Sequence, residues 1–163
     1  MDAETTNSQH GFTLTELAVT LVIAAVVSAM ALPSLSSMVR NTRVKQTATD
    51  MVMTLAYARN EAISRNAQVS VVALGGWSAG WQVVTGATML RQSVLSGEVT
   101  VTGPATNTVT YNANGRLATL STVTFAFTVA GNTQVMRRCV SATLMGQPVL
   151  QTDNNRDGDC SNG

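Results

Sequence analysis

Charge is thin in this chain of 163 residues: 12% are Asp, Glu, Lys or Arg, against about a quarter in an average globular protein. Ten bases face nine acids, a balance that excludes a strongly acidic or basic protein and gives no electrostatic footprint for nucleic acid. Asp2 and Glu4 are the only charges among the first eleven residues, so beyond them ten bases face seven acids, a mildly basic remainder. Aromatics amount to 4%. With Thr, Val and Ala abundant, that scarcity points to a small β-rich core and away from a large enzyme. The single histidine, His10, leaves no His/Cys spacing that suits zinc. No internal repeat and no low-complexity run long enough for a linker interrupts the sequence, so the length fits one domain with an appendage.

What the chain does have is one apolar run. From residue 12 to 32 the only charge in 21 residues is Glu16. As a helix the run would span ~31 Å, about the thickness of a hydrocarbon core. The stretch "LAVTLVIAAVVSAMAL" (17–32) is apolar on all sides apart from Thr20 and Ser28, whose hydroxyls can bond the carbonyl four residues back. So small a domain cannot bury such a helix, and the segment is expected to face lipid or a partner. A charge near the bilayer centre costs about 2.5–3.5 kcal/mol, so Glu16 must be neutralised or needed. A secretory signal peptide competes, because "AMA" (29–31) suits its peptidase. The acidic flank before the run and Glu16 at its edge count against that reading.

The stretch "GFTLTEL" (11–17), followed by an apolar run with Pro33 near its end, resembles the N-terminus of the type IV pilins and type II secretion pseudopilins. The resemblance implies a prepilin peptidase cut between Gly11 and Phe12, N-methylation of the new Phe12 terminus, and an assembly role for Glu16. Pairing Glu16 with the Phe12 amine of a neighbouring subunit would offset the burial cost and set the register of a helical filament. Residues 1–11 would be the leader, which departs from the pattern by lacking Lys and Arg, while Arg40, Arg43 and Lys45 lie beyond the run. The positive-inside rule alone would favour the reverse orientation; the motif places the C-terminal part in the periplasm. Without the leader no histidine remains, so a Ser–His or Cys–His pair is excluded, and "LGGW" (74–77) lacks the lysine and helix of a phosphate loop. No enzyme is expected.

Pro33 should kink the helix without ending it. Beyond it Val44, Ala48, Met51, Val52, Leu55, Ala58, Ala62 and Ile63 recur at spacings of three and four, an amphipathic stripe that predicts helix to about residue 65. The segment "LAYARNEAISRN" (55–66) resembles the FimT/FimU minor pilins and GspH pseudopilins. After residue 66 the period becomes two. Strands are predicted at 68–74, 80–85, 88–95, 98–103, 107–112, 122–129 and 133–143, with a tight turn at "NANGRL" (112–117). The expected fold class is α+β: a long N-terminal helix, transmembrane in one half and amphipathic in the other, packed on antiparallel sheet. The expected segments are a leader at 1–11, an assembly helix at 12–33, an amphipathic half at 34–66 and a β-rich domain at 67–163. Trp77 and Trp81, flanking a Gly-rich hairpin, read as core or hairpin packing, with a partner-facing aromatic as the alternative.

Cys139 and Cys160 would form a disulfide on the oxidising side of a membrane, closing a loop of roughly 22 residues worth about 3 kcal/mol; two buried thiols are the alternative. "DNNRDGD" (153–159) fits the first half of a calcium loop, with Asp153, Asn155, Asp157 and Asp159 as oxygen donors and Gly158 at the bend. The position of the twelfth-residue glutamate falls past Gly163, and a solvated Asx-turn loop is the plainer reading. Where the DNA-binding FimT-like proteins carry "GRxR", this chain has "GQPV" (146–149). Arg116, Arg137, Arg138 and Arg156 could still contact double-stranded DNA, or could be scattered solubilising charges. The resemblance thus implies a minor pilin that enters a type IV pilus and helps initiate assembly or form the tip. The alternatives are a DNA-uptake pilin for transformation and a GspH-like pseudopilin of type II secretion; the cysteine pair suits the pilus side by resemblance. Expected partners are other minor and major pilins, the prepilin peptidase and the inner membrane before incorporation into the fibre. No cofactor is expected apart from the calcium option.

Overall fold

A computed structural model of the chain describes residues 12–95 and 97–160, and within these the side chains of 30–34 fall outside the description. One helix, α1 (Leu14–Arg65), carries the N-terminal part. It opens at Thr13, whose hydroxyl accepts the Glu16 N–H at 3.2 Å and so satisfies one of the donors a helix leaves unpaired at its start. It stops at Asn66, which adopts φ 48°. There the Asn66 N–H bonds Ile63 O and the Ala67 N–H bonds Ala62 O, the two bonds of a Schellman ending. Inside the apolar run Ser28 bonds Ala24 O, four residues back as expected, whereas Thr20 bonds Leu17 O, three back. The helix continues through Pro33; the kink expected there falls among the side chains outside the description. The chain divides into two compact units, one ending at Ser36 and the other beginning at Ser37.

Among the described residues the second unit holds eight strands: β1 (Val69–Ala73), β2 (Gly80–Thr85), β3 (Thr88–Val94), β4 (Val99–Thr102), β5 (Thr108–Tyr111), β6 (Val123–Val129), β7 (Arg138–Ala142) and β8 (Pro148–Thr152). They form two four-stranded antiparallel sheets, ordered β3-β2-β1-β5 and β4-β6-β7-β8. Seven strands follow the predicted segments, although 133–137 is irregular and β7 starts only at Arg138. β8 matches no predicted segment. Its Pro148 sits at the strand's first position, on a sheet edge, where the missing N–H costs no ladder bond, and its residues are only half-buried. The turn at 112–116 closes as its sequence predicts, with Gly115 N–H on Asn112 O and Asn112 N–H on Arg116 O, both at 2.8 Å. Gly146 must be glycine, since its φ is 77° and a Cβ would strike the Gly115 carbonyl oxygen.

The helix stripe and both sheets share one core. Val44, Ala48, Met51, Leu55, Ala58 and Ala62 are fully buried against Val71, Val83 and Val109 of one sheet and Phe125, Phe127 and Val140 of the other. Val52 packs at the margin. Ile63 departs from the expectation: it is 46% exposed, lying over the Gly115 turn at the edge of the stripe. Both tryptophans are core residues. Trp77 meets Phe125 edge to face at 4.8 Å and donates Nε1–H to Pro104 O. Trp81, 1% exposed, donates to the hydroxyl of Thr54, itself completely buried on α1. That bond spans helix and sheet where neither group has water to turn to. Burial also raises the Tyr111 phenol above its usual range, with the Arg59 charge pulling the other way.

Cys139 on β7 is bonded to Cys160, Cα to Cα 6.0 Å, closing the C-terminal segment onto its sheet. Two outcomes follow, both measured as denaturant unfolding of the detergent-solubilised chain by tryptophan fluorescence. Thr54→Val strands the buried Trp81 N–H and lowers stability by about 1–3 kcal/mol. Cys139→Ser with Cys160→Ser removes the cross-link and lowers it by about 3 kcal/mol. Unchanged midpoints in either case would contradict the assignment of that contact.

Candidate functional site

The N-terminal part of α1 shows its apolar side chains outward. Phe12 is 82% exposed and Leu14 84%, and Leu17, Val19, Leu21, Val22, Ile23, Val26 and Val27 are all more than half exposed. A contiguous apolar surface of that extent marks an interaction with lipid or protein. Among the described residues no helix is long and apolar enough to cross a membrane; the described side chains of the run end at Ala29, short of the roughly 20 that a crossing needs. In the sequence itself the run continues to Leu32. Glu16 sits in the first helical turn with its side chain exposed. Its backbone N–H is taken by Thr13, while its carboxylate receives no bond from the described residues. Thr13 and Glu16 have the S/T-x-x-E spacing of a capping box, a local signal present in the sequence beneath the stronger one of the apolar run. The expected cleavage point involves Gly11, which lies outside the described residues. Phe12 itself precedes the helix, whose first ladder bond runs from Leu17 N–H to Thr13 O at 3.1 Å.

The C-terminal loop after β8 is the second cluster. Asp153 is buried at 2% exposure, whereas Asn155, Asp157, Gly158 and Asp159 are exposed. Asp153 Oδ2 accepts the Gly158 N–H at 2.9 Å, folding the loop around its own first carboxylate. Asn155 Oδ1 faces the Asp157 N–H at 3.5 Å, and Asp157 Oδ1 accepts the Asp159 N–H at 2.8 Å. Among the described residues no three His, Cys, Asp or Glu side chains group closely enough to hold a metal by themselves. The loop's donors are mixed: carboxylates, an amide and main-chain carbonyls.

The four arginines offered for DNA do not converge on one use. Arg137 donates Nη1–H to Gly158 O at 2.5 Å, and Arg138 donates to the Thr152 hydroxyl. Both therefore fasten the C-terminal loop and β8. Arg116 belongs to the 112–116 turn, where its N–H bonds Asn114 Oδ1. Arg156 is exposed on the loop with φ 60°. Gln147 and Val149 flank Pro148 at the start of β8.

Residues 6–32 match the prokaryotic N-terminal methylation motif, and residues 47–146 match the type II transport protein GspH. No curated protein matches the chain. Among solved structures, the type IV minor pilin FimU of Pseudomonas aeruginosa is similar in two crystal forms. One gives a TM-score of 0.60 at 27% identity, covering 68% of this chain and 89% of FimU. The other gives 0.58 at 28%, covering 66% and 91%. The minor pseudopilin EpsH from the type 2 secretion system of Vibrio cholerae shares the fold at a TM-score of 0.54 and 15% identity, covering 68% of this chain and 98% of EpsH. Because the GspH match runs through more than half of the sequence, from the amphipathic part of α1 to the turn before β8, the chain belongs to the GspH family, among the minor pilins and pseudopilins of type IV pili and type II secretion.

Proposed function

We propose that the chain is a minor pilin of the FimU kind, built into a type IV pilus where it helps start assembly or forms part of the tip, with no catalytic step of its own. The observation that carries this reading is the likeness to FimU, at 27–28% identity over about two thirds of the chain, against 15% for the secretion pseudopilin. Before assembly the apolar surface of α1 lies in the inner membrane and the β domain in the periplasm. After removal of residues 1–11 the N-methylated Phe12 amine pairs with Glu16 of a neighbour.

The chemistry favours that arrangement. Moving an apolar helix from lipid to a bundle of helices gains little hydrophobic free energy, because the tails are as apolar as its side chains. Close packing and polar pairing must supply the specificity. Ala24, Ala25 and Ser28 give α1 small residues for close approach. Glu16, unpaired among the described residues, carries a burial cost of about 2.5–3.5 kcal/mol that a neighbour's amine offsets. No observation favours the DNA-uptake reading over this one, since Arg137 and Arg138 already hold the loop and strand beside them.

Deletion of the gene separates the two machines. The expected result is a several-fold loss of surface pili, restored by the intact chain, with export by type II secretion unchanged. Lost export with intact pili would instead make it a pseudopilin. Mass spectrometry of the membrane form should find methylated Phe12 as the first residue; retention of Met1 would contradict the processing step.

A further inference from the structure

We propose that the C-terminal loop 153–159 is a calcium site, preformed by the fold and closed by the disulfide. The inference is independent of which fibre the chain enters. Calcium takes oxygen donors from positions 1, 3, 5 and 7 of a loop whose sixth residue bends sharply. Here those positions are Asp153, Asn155, Asp157 and the main-chain carbonyl of Asp159, and the sixth is Gly158 at φ 89°.

The observation pointing to a ligand is Asp153. It is 2% exposed, yet its Oδ1 has no hydrogen-bond partner. Its other oxygen, Oδ2, accepts the Gly158 N–H at 2.9 Å, so the carboxylate is turned into the loop. A buried carboxylate oxygen without a donor is costly, and a cation is the chemical remedy. Asn155 and Asp157 complete the side-chain set, each already directed by a contact to the N–H two residues on.

Three anchors hold the loop in this shape without the ion. Asp153 N–H bonds Arg137 O at 3.1 Å, Arg137 Nη1 donates to Gly158 O, and Cys160 is tied to Cys139. Preorganisation lowers the ordering cost of binding. Four protein donors are fewer than the six to eight that calcium takes, so waters fill the rest. The affinity then falls in the range of extracellular modules, Kd about 0.1–1 mM. Magnesium, which demands a near-ideal octahedron and gives up its waters reluctantly, should bind far less.

The test uses the full chain in detergent with its disulfide intact, freed of divalent ions by chelation. Calorimetric titration with calcium chloride should show one saturable site in that range and a higher Tm with calcium than with chelator. Asp153→Asn and the exposed Asp157→Asn should each weaken binding at least tenfold. Asp159→Asn, which keeps its carbonyl, should stay within a few-fold of the parent. The far-UV spectrum of each variant reports folding, and the exposed position keeps the test valid if Asp153→Asn misfolds. Three results would each overturn the proposal: no heat and no Tm rise for the parent at ~10 mM calcium, an equal response to magnesium, or parental affinity in a folded Asp157→Asn.

Discussion

An apolar helical surface that the described residues leave uncovered is the constraint from which the rest follows. From Phe12 to Val27 the large side chains of α1 point outward, and none of the described residues hides them. Lipid and neighbouring helices are the two environments that can, and they differ little in apolarity. The charged exception in that surface is Glu16, exposed in the first turn of α1. Thr13 takes its backbone N–H, and among the described residues nothing bonds its carboxylate, so the helix start is secured without using the group proposed for assembly.

The same helix meets a different demand past Ser37. There Val44, Ala48, Met51, Leu55, Ala58 and Ala62 form a stripe buried by two sheets, while Arg43, Lys45 and Arg65 stay on the polar side. Alternating strand residues from both sheets fill one core, and the Trp81–Thr54 hydrogen bond fixes helix against sheet within it. The disulfide and the Arg137 contact then hold the C-terminal loop to β7. One helix thus carries an exposed apolar segment towards its start and the buried stripe of the β-rich unit towards its end.

Much of this was legible because period is a physical signal. The stripe's three-and-four spacing and the Val/Thr alternation after residue 66 gave the helix end within a residue and seven of eight strands. β8 escaped because Pro148 and half-exposed residues carry no clean alternation, and a proline is tolerated there only by its edge position. Ile63 kept the spacing of the stripe but sits where the sheet gives way to the Gly115 turn, which no helical period encodes. Thr54 lies outside the stripe's apolar pattern, and only the fold brings it Trp81 as a partner from 27 positions away. In the C-terminal loop the donor spacing was readable, whereas the buried, unpartnered oxygen of Asp153 needed the fold to place it.

Glu16 is proposed as an assembly contact and more than a capping acid. A helix-terminal acid contributes about 0.3–1 kcal/mol to its own helix, too little to govern entry into a fibre. The direct measurement is the amount of Glu16→Ala chain in purified fibres relative to membrane, set against the parent expressed at the same level. Incorporation is expected to fall at least tenfold while the membrane pool persists and the N-terminus is still processed at Phe12. Incorporation equal to the parent would contradict it.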